Sequence, residues 1–412
     1  MIFRKRATVV LLFVCVCAAL LLVVSLPATR ALVVGNAASV FFAESYPVAT
    51  LRAKYDAAVP TTKAIRILLV PGHEPTFGGT VYNDVYERDM TVELAQFLAS
   101  YLQKDARFEV LQTRDTEQWN PVLAQYFATH ASATDDFYST KKAEMDHLVN
   151  EGLLQMVSST PHNSAPPDVA RHLYGINQWA NEQKVDLVVN IHFNDTKRKV
   201  LTRPGPYTGF TVFVPERQYS NSSSSKIAGD AITKRLRQFT ATSDLSPESG
   251  GVVEDQDLIS IGRYNSLDAP GVLIEYGYIY ERQFDDPQVR SAVLKELAFE
   301  TAVGIQDFFA APTVEKIPPD STYLPFTWNT ELRETKNPSV AVLALQAALH
   351  NEGVYPVASS TLHACPLSGY FDTCTTAALN SFQLTHRITD EAGVVGTSTR
   401  DVLNRKYGKI TL

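Results

Sequence analysis

His73 stands in the stretch LLVPGHEPTFGGTVYNDVYERDM (residues 68–90) together with Glu74, Asp84, Glu87 and Asp89, and Glu93 follows just beyond. A histidine among acids can be a metal ligand, half of an acid–base pair, or part of a solvated charged loop. Two distant positions share its setting. His73 ends the run ILLVPGH, His192 ends VDLVVNIH, and Glu275 ends GVLIE. In parallel α/β sheets, functional groups gather outside the carboxyl ends of the strands, so these three can converge in space. Glu87 comes at the start of the first predicted helix, after a Gly-containing loop able to fold back over the same edge. Two neutral imidazoles and one carboxylate suit Zn²⁺ and leave a fourth position for water. A separate carboxylate is then needed to take the water's proton and deliver it to a leaving nitrogen. Glu275 sits inside the apolar run VLIEYGYI, where an acid is costly to bury without a partner or a task and where burial raises its pKa. Taken singly, a histidine at a strand end is more often a hydrogen-bonded structural residue than a ligand. The joint pattern carries the reading.

The elements that must position these groups are legible as alternating patterns. AIRILLV (64–70), RFEVLQTR (107–114), VDLVVNIHF (185–193), TGFTVFVP (208–215) and APGVLIEYGYI (269–279) read as strands, most of them nearly continuous apolar runs. Between them lie helical stretches. Residues 88–104 carry Met90, Leu94, Phe97 and Leu98 at helical spacing, and further helices are predicted at 135–157, at 169–184 capped by Asp168, at 222–240 and from about 286 to 309. Strands alternating with helices predict an α/β domain over 64–309, with a mostly parallel sheet flanked by helices. Residues 115–171 form a helical insertion whose SSTPHNSAPPD (158–168) is a polar, Pro-rich break. Residues 310–334 carry four prolines in AAPTVEKIPPDSTYLPFTWNT and no period, and read as a linker. Residues 335–412 are small and mostly helical.

The chain has 412 residues, 45% hydrophobic and 20% charged, enough for two or three domains with proper cores. A net charge of −7 gives no reason to expect a nucleic-acid partner. A mean hydropathy of −0.08 excludes a polytopic membrane protein. FRKR (3–6) precedes twenty uncharged residues, 7–26, long enough to span a bilayer. The basic flank predicts a cytoplasmic N-terminus with everything after the span outside, so residues 1–30 read as a membrane anchor and 31–63 as a tether. A cleaved signal peptide is the competing reading. In an exported protein, Cys365 and Cys374, nine apart in CPLSGYFDTC, are most simply a disulfide; with His363 alone nearby, a zinc knuckle would be incomplete.

Residues 65–309 resemble the zinc-dependent N-acetylmuramoyl-L-alanine amidases, the cell-wall amidase catalytic domain. The carrying motifs, in family order, are LVPGHEPTFGG, YERDM, LQTRD, VNIHFND and VLIEYGYIYE, with GFTVFV and SSSSKIAGDAITKRL fitting the strand and Ser-led helix after the second histidine. The resemblance implies the family's α/β fold (amidase/phosphorylase-hydrolase-like), zinc ligands His73, Glu87 and His192, and Glu275 as general base and acid. It implies hydrolysis of the amide between N-acetylmuramic acid and L-alanine of the stem peptide, in wall remodelling or daughter-cell separation. Glu74 replaces the Gly that usually follows the first histidine, Asn190 replaces the small residue before IH, and HANA becomes His192-Phe193-Asn194-Asp195, with Phe193 and Asp195 as the departures. Glu74, Arg114 and Asn194 are candidates for supporting the ligands or touching substrate. The long 115–171 segment reads either as a lid or partner-binding element, open to a protein activator, or as a plain insertion. VLALQAALHNEGVY, SGYFDTCTTAALNSFQ and AGVVGTSTRDVL resemble the small three-helix peptidoglycan-binding domain, so peptidoglycan is the expected partner. Two alternatives stay open: a zinc cell-wall peptidase cutting within the stem, and a non-catalytic wall-binding or activator protein.

Overall fold

The computed structural model describes residues 44–58, 65–157, 160, 162, 164–310 and 321–409. The apolar segment 7–26 lies outside the described residues; among those described, no helix is long and apolar enough to cross a membrane. A six-stranded sheet organises the larger part of the chain. Its strands are β1 (Ile65–Pro71), β4 (Phe108–Gln112), β5 (Leu187–Asn194), β6 (Thr211–Pro215), β7 (Val252–Asp255) and β8 (Gly271–Tyr278), in the order β4-β1-β5-β8-β6-β7. All neighbours run parallel except β6 and β8, which pair antiparallel. The sheet is therefore mostly parallel, as the strand–helix alternation predicts.

Both faces are covered, which explains the continuous apolar runs. One face presents Ile67, Leu69, Val189, Ile191, Val272 and Ile274 to α2 (Glu87–Leu102), α5 (Ser222–Leu236) and α6 (Pro287–Phe309). Met90, Leu94 and Leu98 recur every fourth residue on α2, so they form one stripe facing the sheet. Each such fully buried leucine contributes roughly 2 kcal/mol. On the other face Leu68, Val70 and Val188 meet Leu123 and Tyr126 of α3 (Pro121–Asn150) and Ile176 and Trp179 of α4 (Pro167–Glu182). Three layers result: helices, sheet, helices.

Several expectations are corrected. Within the expected tether, Val48–Ala57 form α1, whose Leu51 and Tyr55 are buried. Lys54 Nζ reaches Asp186 at 2.6 Å and Tyr55 Oη donates to Asp105 at 2.7 Å. Two buried residues four apart are too short a signal for a helix that relies on the rest of the domain for its partners. α3 begins at Pro121, not Asp135, because Asn120 caps it through a bond from Val122 N (3.1 Å) and Pro121 occupies the first turn. Asp168 is not the cap of α4; Pro166 precedes the helix, and Asp168 lies in its first turn beside Arg171. β7, a four-residue edge strand, was not predicted.

The expected linker is also altered. Residues 311–320 lie outside the described residues, but 321–328 are mostly buried or half-buried against their neighbours. Thr322 N donates to Glu296 at 2.6 Å, and the buried Trp328 donates from Nε1 to Ala341 O at 2.9 Å. Beyond it, α7 (Val340–Asn351), α8 (Thr373–Thr385) and α9 (Thr397–Tyr407) form the small helical region. Buried Gln346 ties it together, donating to Tyr370 O and Thr375 Oγ1 and accepting from Ser368 N and Gly369 N. Cys365 and Cys374 are joined as a disulfide. The region rests on the larger domain through Tyr370, whose hydroxyl donates to Asp285 (3.2 Å) and whose ring lies under Arg282 at 4.0 Å.

Candidate active site

His73 follows β1 in a left-handed conformation, φ 70°. The Pro-Gly before it has a steric reason: a Cβ on Gly72 would lie 2.3 Å from Cε1 of His192, so only glycine lets this backbone pass the second imidazole. The chain then returns through Gly78 and Gly79, both at positive φ, with Gly79 wedged against His73 and Glu87. A small hairpin follows, β2 (Val81–Tyr82) and β3 (Val85–Tyr86), turned by Asn83 and Asp84 at φ 47° and 63°. Two successive left-handed residues make the tight turn that suits a two-residue hairpin. The hairpin delivers Glu87 as the first residue of α2.

Glu87 is buried and bridges both histidines. Its Oε2 lies 2.8 Å from His73 Nε2 and its Oε1 lies 3.1 Å from His192 Nδ1. Thr80 N (2.9 Å) and Phe193 N (3.1 Å) donate to its two oxygens. Burial works against the charge, but the two imidazoles outweigh it and hold this carboxyl well below the usual range. Burial lowers the pKa of His192, against the pull of Glu87, and favours its neutral, ligating form. Ligand atoms of His73, Glu87 and His192 all lie within 4.8 Å of one another. His73 Nε2 is buried and makes no hydrogen bond despite its nearness to Glu87. A buried carboxylate flanked by two imidazole nitrogens is a donor set that fits a divalent cation such as zinc.

Glu275 stands beside this group because β5 and β8 pair His192 with Glu275 in register, and period-two alternation puts both on the face carrying α3 and α4. Its Oε2 is shut away from solvent and has no hydrogen-bond partner among the described residues. Burial first, then the charges of Glu87 and Glu248, push its carboxyl well above the ordinary range. The residues that hold this arrangement are less visible in the sequence. Arg114, 1% exposed, donates to Pro71 O (3.2 Å), Gly72 O, Arg88 O (3.0 Å) and Thr91 Oγ1 (3.2 Å). It clamps the His73 loop to the start of α2 and is out of reach of a substrate. Burial draws its pKa down to about 10.

Asn194 donates to both oxygens of Glu248, at 3.2 and 3.3 Å. Glu248 is a buried acid that sequence reading missed. Its Oε2 also receives Ser243 Oγ (2.8 Å), Tyr278 Oη (3.0 Å) and Thr211 Oγ1 (3.4 Å). Lying in the short polar loop SPESGGV, it has no periodic or motif signal; only the fold surrounds it with hydroxyls. Glu74 turns away from the cluster and meets His172 of α4, Oε1 to Nδ1 3.0 Å. Asp84 stays in the hairpin turn, Asp89 in the first turn of α2, and Glu93 accepts from Ser291 of α6 at 2.6 Å.

The sequence model of the N-acetylmuramoyl-L-alanine amidase family matches residues 67–307, more than half of the chain, and a peptidoglycan-binding domain model matches residues 338–403. No curated protein sequence matches the chain. Similar solved structures include the N-acetylmuramyl-L-alanine amidase Ami1 from Mycobacterium smegmatis, at 16% identity and a TM-score of 0.38, covering 60% of this chain and 96% of that one. Ami1 from Mycobacterium abscessus gives 16% and 0.39, covering 60% and 99%. The amidase AmiC2 of Nostoc punctiforme gives 15% and 0.36, covering 60% and 98%. The chain belongs to the N-acetylmuramoyl-L-alanine amidase family and carries a C-terminal peptidoglycan-binding domain.

Proposed function

We propose that this protein is a zinc-dependent peptidoglycan hydrolase that cleaves the amide between the lactyl group of N-acetylmuramic acid and L-alanine of the stem peptide, in wall remodelling or daughter-cell separation. The observation that carries the reading is the meeting of two imidazoles and Glu87 beside a second buried acid, Glu275, whose Oε2 has no hydrogen-bond partner among the described residues. His73, Glu87 and His192 hold the ion. When bound, zinc supplies Lewis acidity, lowering the pKa of water and polarising a carbonyl. Glu275 serves as the proton carrier: its carboxylate accepts the proton of the attacking water, and its acid form returns it to the departing amide nitrogen. Thr80 N and Phe193 N hold the Glu87 carboxylate, and Gly72 leaves room for the His192 ring. Arg114 and the Glu248–Asn194 pair keep the two loops in place. The C-terminal domain holds the enzyme on its insoluble substrate, and raising the local concentration in this way favours turnover without new contacts at the reacting bond. The Cys365–Cys374 disulfide supports action outside the cytoplasm.

The test is digestion of purified peptidoglycan by the full chain, with and without a chelator, followed by mass spectrometry. Free stem peptides with an N-terminal alanine, lost on chelation and restored by zinc, are the expected products. Cuts within the stem would replace this reading by a zinc peptidase. Intact peptidoglycan would favour a wall-binding protein without hydrolase activity.

A further inference from the structure

An open groove of about 730 Å³ begins at the residue directly after His73. One wall is the loop 74–77, closed by Glu74 N donating to Phe77 O at 3.1 Å. It presents Glu74 and a Phe77 ring that is 62% exposed. The opposite wall is the turn 114–119 and the start of α3. Asp115 Oδ1 fixes that turn by accepting from Glu117 N and Gln118 N, both at 2.8 Å, and Arg114 and Trp119 pair across it. Trp119 is braced edge-on against Phe127 (5.1 Å) and His172 (5.6 Å), so its ring is held in place as part of the wall. The groove thus combines two aromatic rings, Phe77 and Trp119, with two acids, Glu117 and Glu74, the second of which also meets His172 Nδ1 through Oε1 at 3.0 Å, and no Lys or Arg lines it. The α3 N-terminus at its edge is no rival anion receptor, because the Asn120 side chain already caps it.

An exposed phenyl ring beside a braced indole and two carboxylates is chemistry for a cation on a flexible apolar stem. Each carboxylate attracts an ammonium group, the rings attract it through their faces, and its methylenes cover apolar surface. Both walls are locally fixed turns, so little ordering is needed on binding. One wall is the run 74–77 that directly follows His73, so the groove borders the loop that carries this imidazole. We infer that this groove is a specificity subsite for an amine-bearing side chain of the substrate's stem peptide, read by Glu74, Glu117, Phe77 and Trp119. The inference rests on the amidase reading for the identity of the peptide, and on the groove's own residues for the charge it selects.

Two soluble N-acetylmuramoyl-peptides test it, identical except that the stem carries lysine in one and Nε-acetyl-lysine in the other. The full chain is expected to hydrolyse the free-amine substrate with a kcat/KM about tenfold higher, expressed mainly in KM. In the double variant Glu74→Gln/Glu117→Gln the ratio of the two kcat/KM values falls to about one. Calorimetric titration of both peptides into the Glu275→Gln protein reads the same preference without turnover. Preference in the titration with no cleavage by the wild-type chain would keep the subsite and sink the amidase reading. Equal kcat/KM values for the two substrates, or a double variant that retains the tenfold ratio, would overturn the subsite. A double variant that slows both substrates equally would also overturn it, by assigning the two acids a structural role.

Discussion

Two clusters of buried acids in this protein are built in opposite ways. Between α5 and α6, Glu300 meets the buried guanidinium of Arg235 at 2.7 Å, and Glu296 receives Thr322 N and Oγ1. The chain supplies its own permanent cation there, and the cluster anchors the start of the C-terminal region. At the sheet edge, the side chains that Glu87 meets are imidazoles, whose charge is optional, with Thr80 N and Phe193 N as backbone donors, and the neighbouring acid Glu275 has no cation beside it among the described residues. An acid cluster closed by arginine is a structural device. One closed by neutralisable ligands and bordered by an unpaired acid suits the ion and the proton transfer proposed above. Both are buried and both leave polar atoms without hydrogen bonds among the described residues, Glu296 Oε1, Glu300 Oε1 and Arg235 Nη2 in the first and His73 Nε2 and Glu275 Oε2 in the second, so the difference lies in the side chains that each acid meets.

The largest expected effect separates the two clusters by activity. Glu275→Gln should lower kcat on peptidoglycan by about 10³-fold, the range that a positioned proton carrier contributes, while leaving the Tm at or above that of the wild type. The Tm holds because no hydrogen bond to Oε2 is lost. A variant retaining a tenth or more of wild-type kcat would remove Glu275 from the proposed chemistry.

The second effect probes the arginine-closed cluster by pH. Burial, only partly opposed by Arg235, raises Glu300 to about 7 from its ordinary value of 4.5. The folded state therefore holds this proton more tightly than the unfolded chain. The stability it contributes is fully present below about pH 4.5 and is lost as the pH rises through about 7, of the order of 3 kcal/mol in all. Urea unfolding of the wild type and of Glu300→Gln at pH 5 and pH 8.5 measures it. The wild type should lose more stability over this interval than the variant, and parallel pH profiles would show that Glu300 does not titrate there.

The smallest of the three concerns the ion. Zinc at about a hundred times its Kd should stabilise the wild-type chain by about 2.7 kcal/mol, a rise in Tm of several degrees. Glu87→Gln, which lowers the charge of the proposed ligand set, should lose most of that rise, and Glu300→Gln should keep it. A zinc-induced shift equal in all three proteins would place the ion elsewhere.

Much of the sheet was readable because strands buried on both faces are short apolar runs with sharp ends, and His73, His192 and Glu275 stood where those runs stopped. α1 escaped notice because its two buried residues, Leu51 and Tyr55, are meaningful only against the domain they touch. β7 escaped because four residues at a sheet edge carry little pattern. Glu248 escaped because nothing local distinguishes it from a solvated loop acid.

The sequence by itself determined which groups sit at strand ends, where glycines free the backbone around His73, and which family the order of motifs belongs to. These are local properties, written in side-chain type and spacing. Only the tertiary structure decided that Glu87, carried by a two-residue hairpin turn, reaches both imidazoles, that Glu74 instead pairs with His172, and that β5 and β8 align His192 with Glu275. Those outcomes depend on strand register and on packing between segments about a hundred residues apart, and no local pattern encodes such distances.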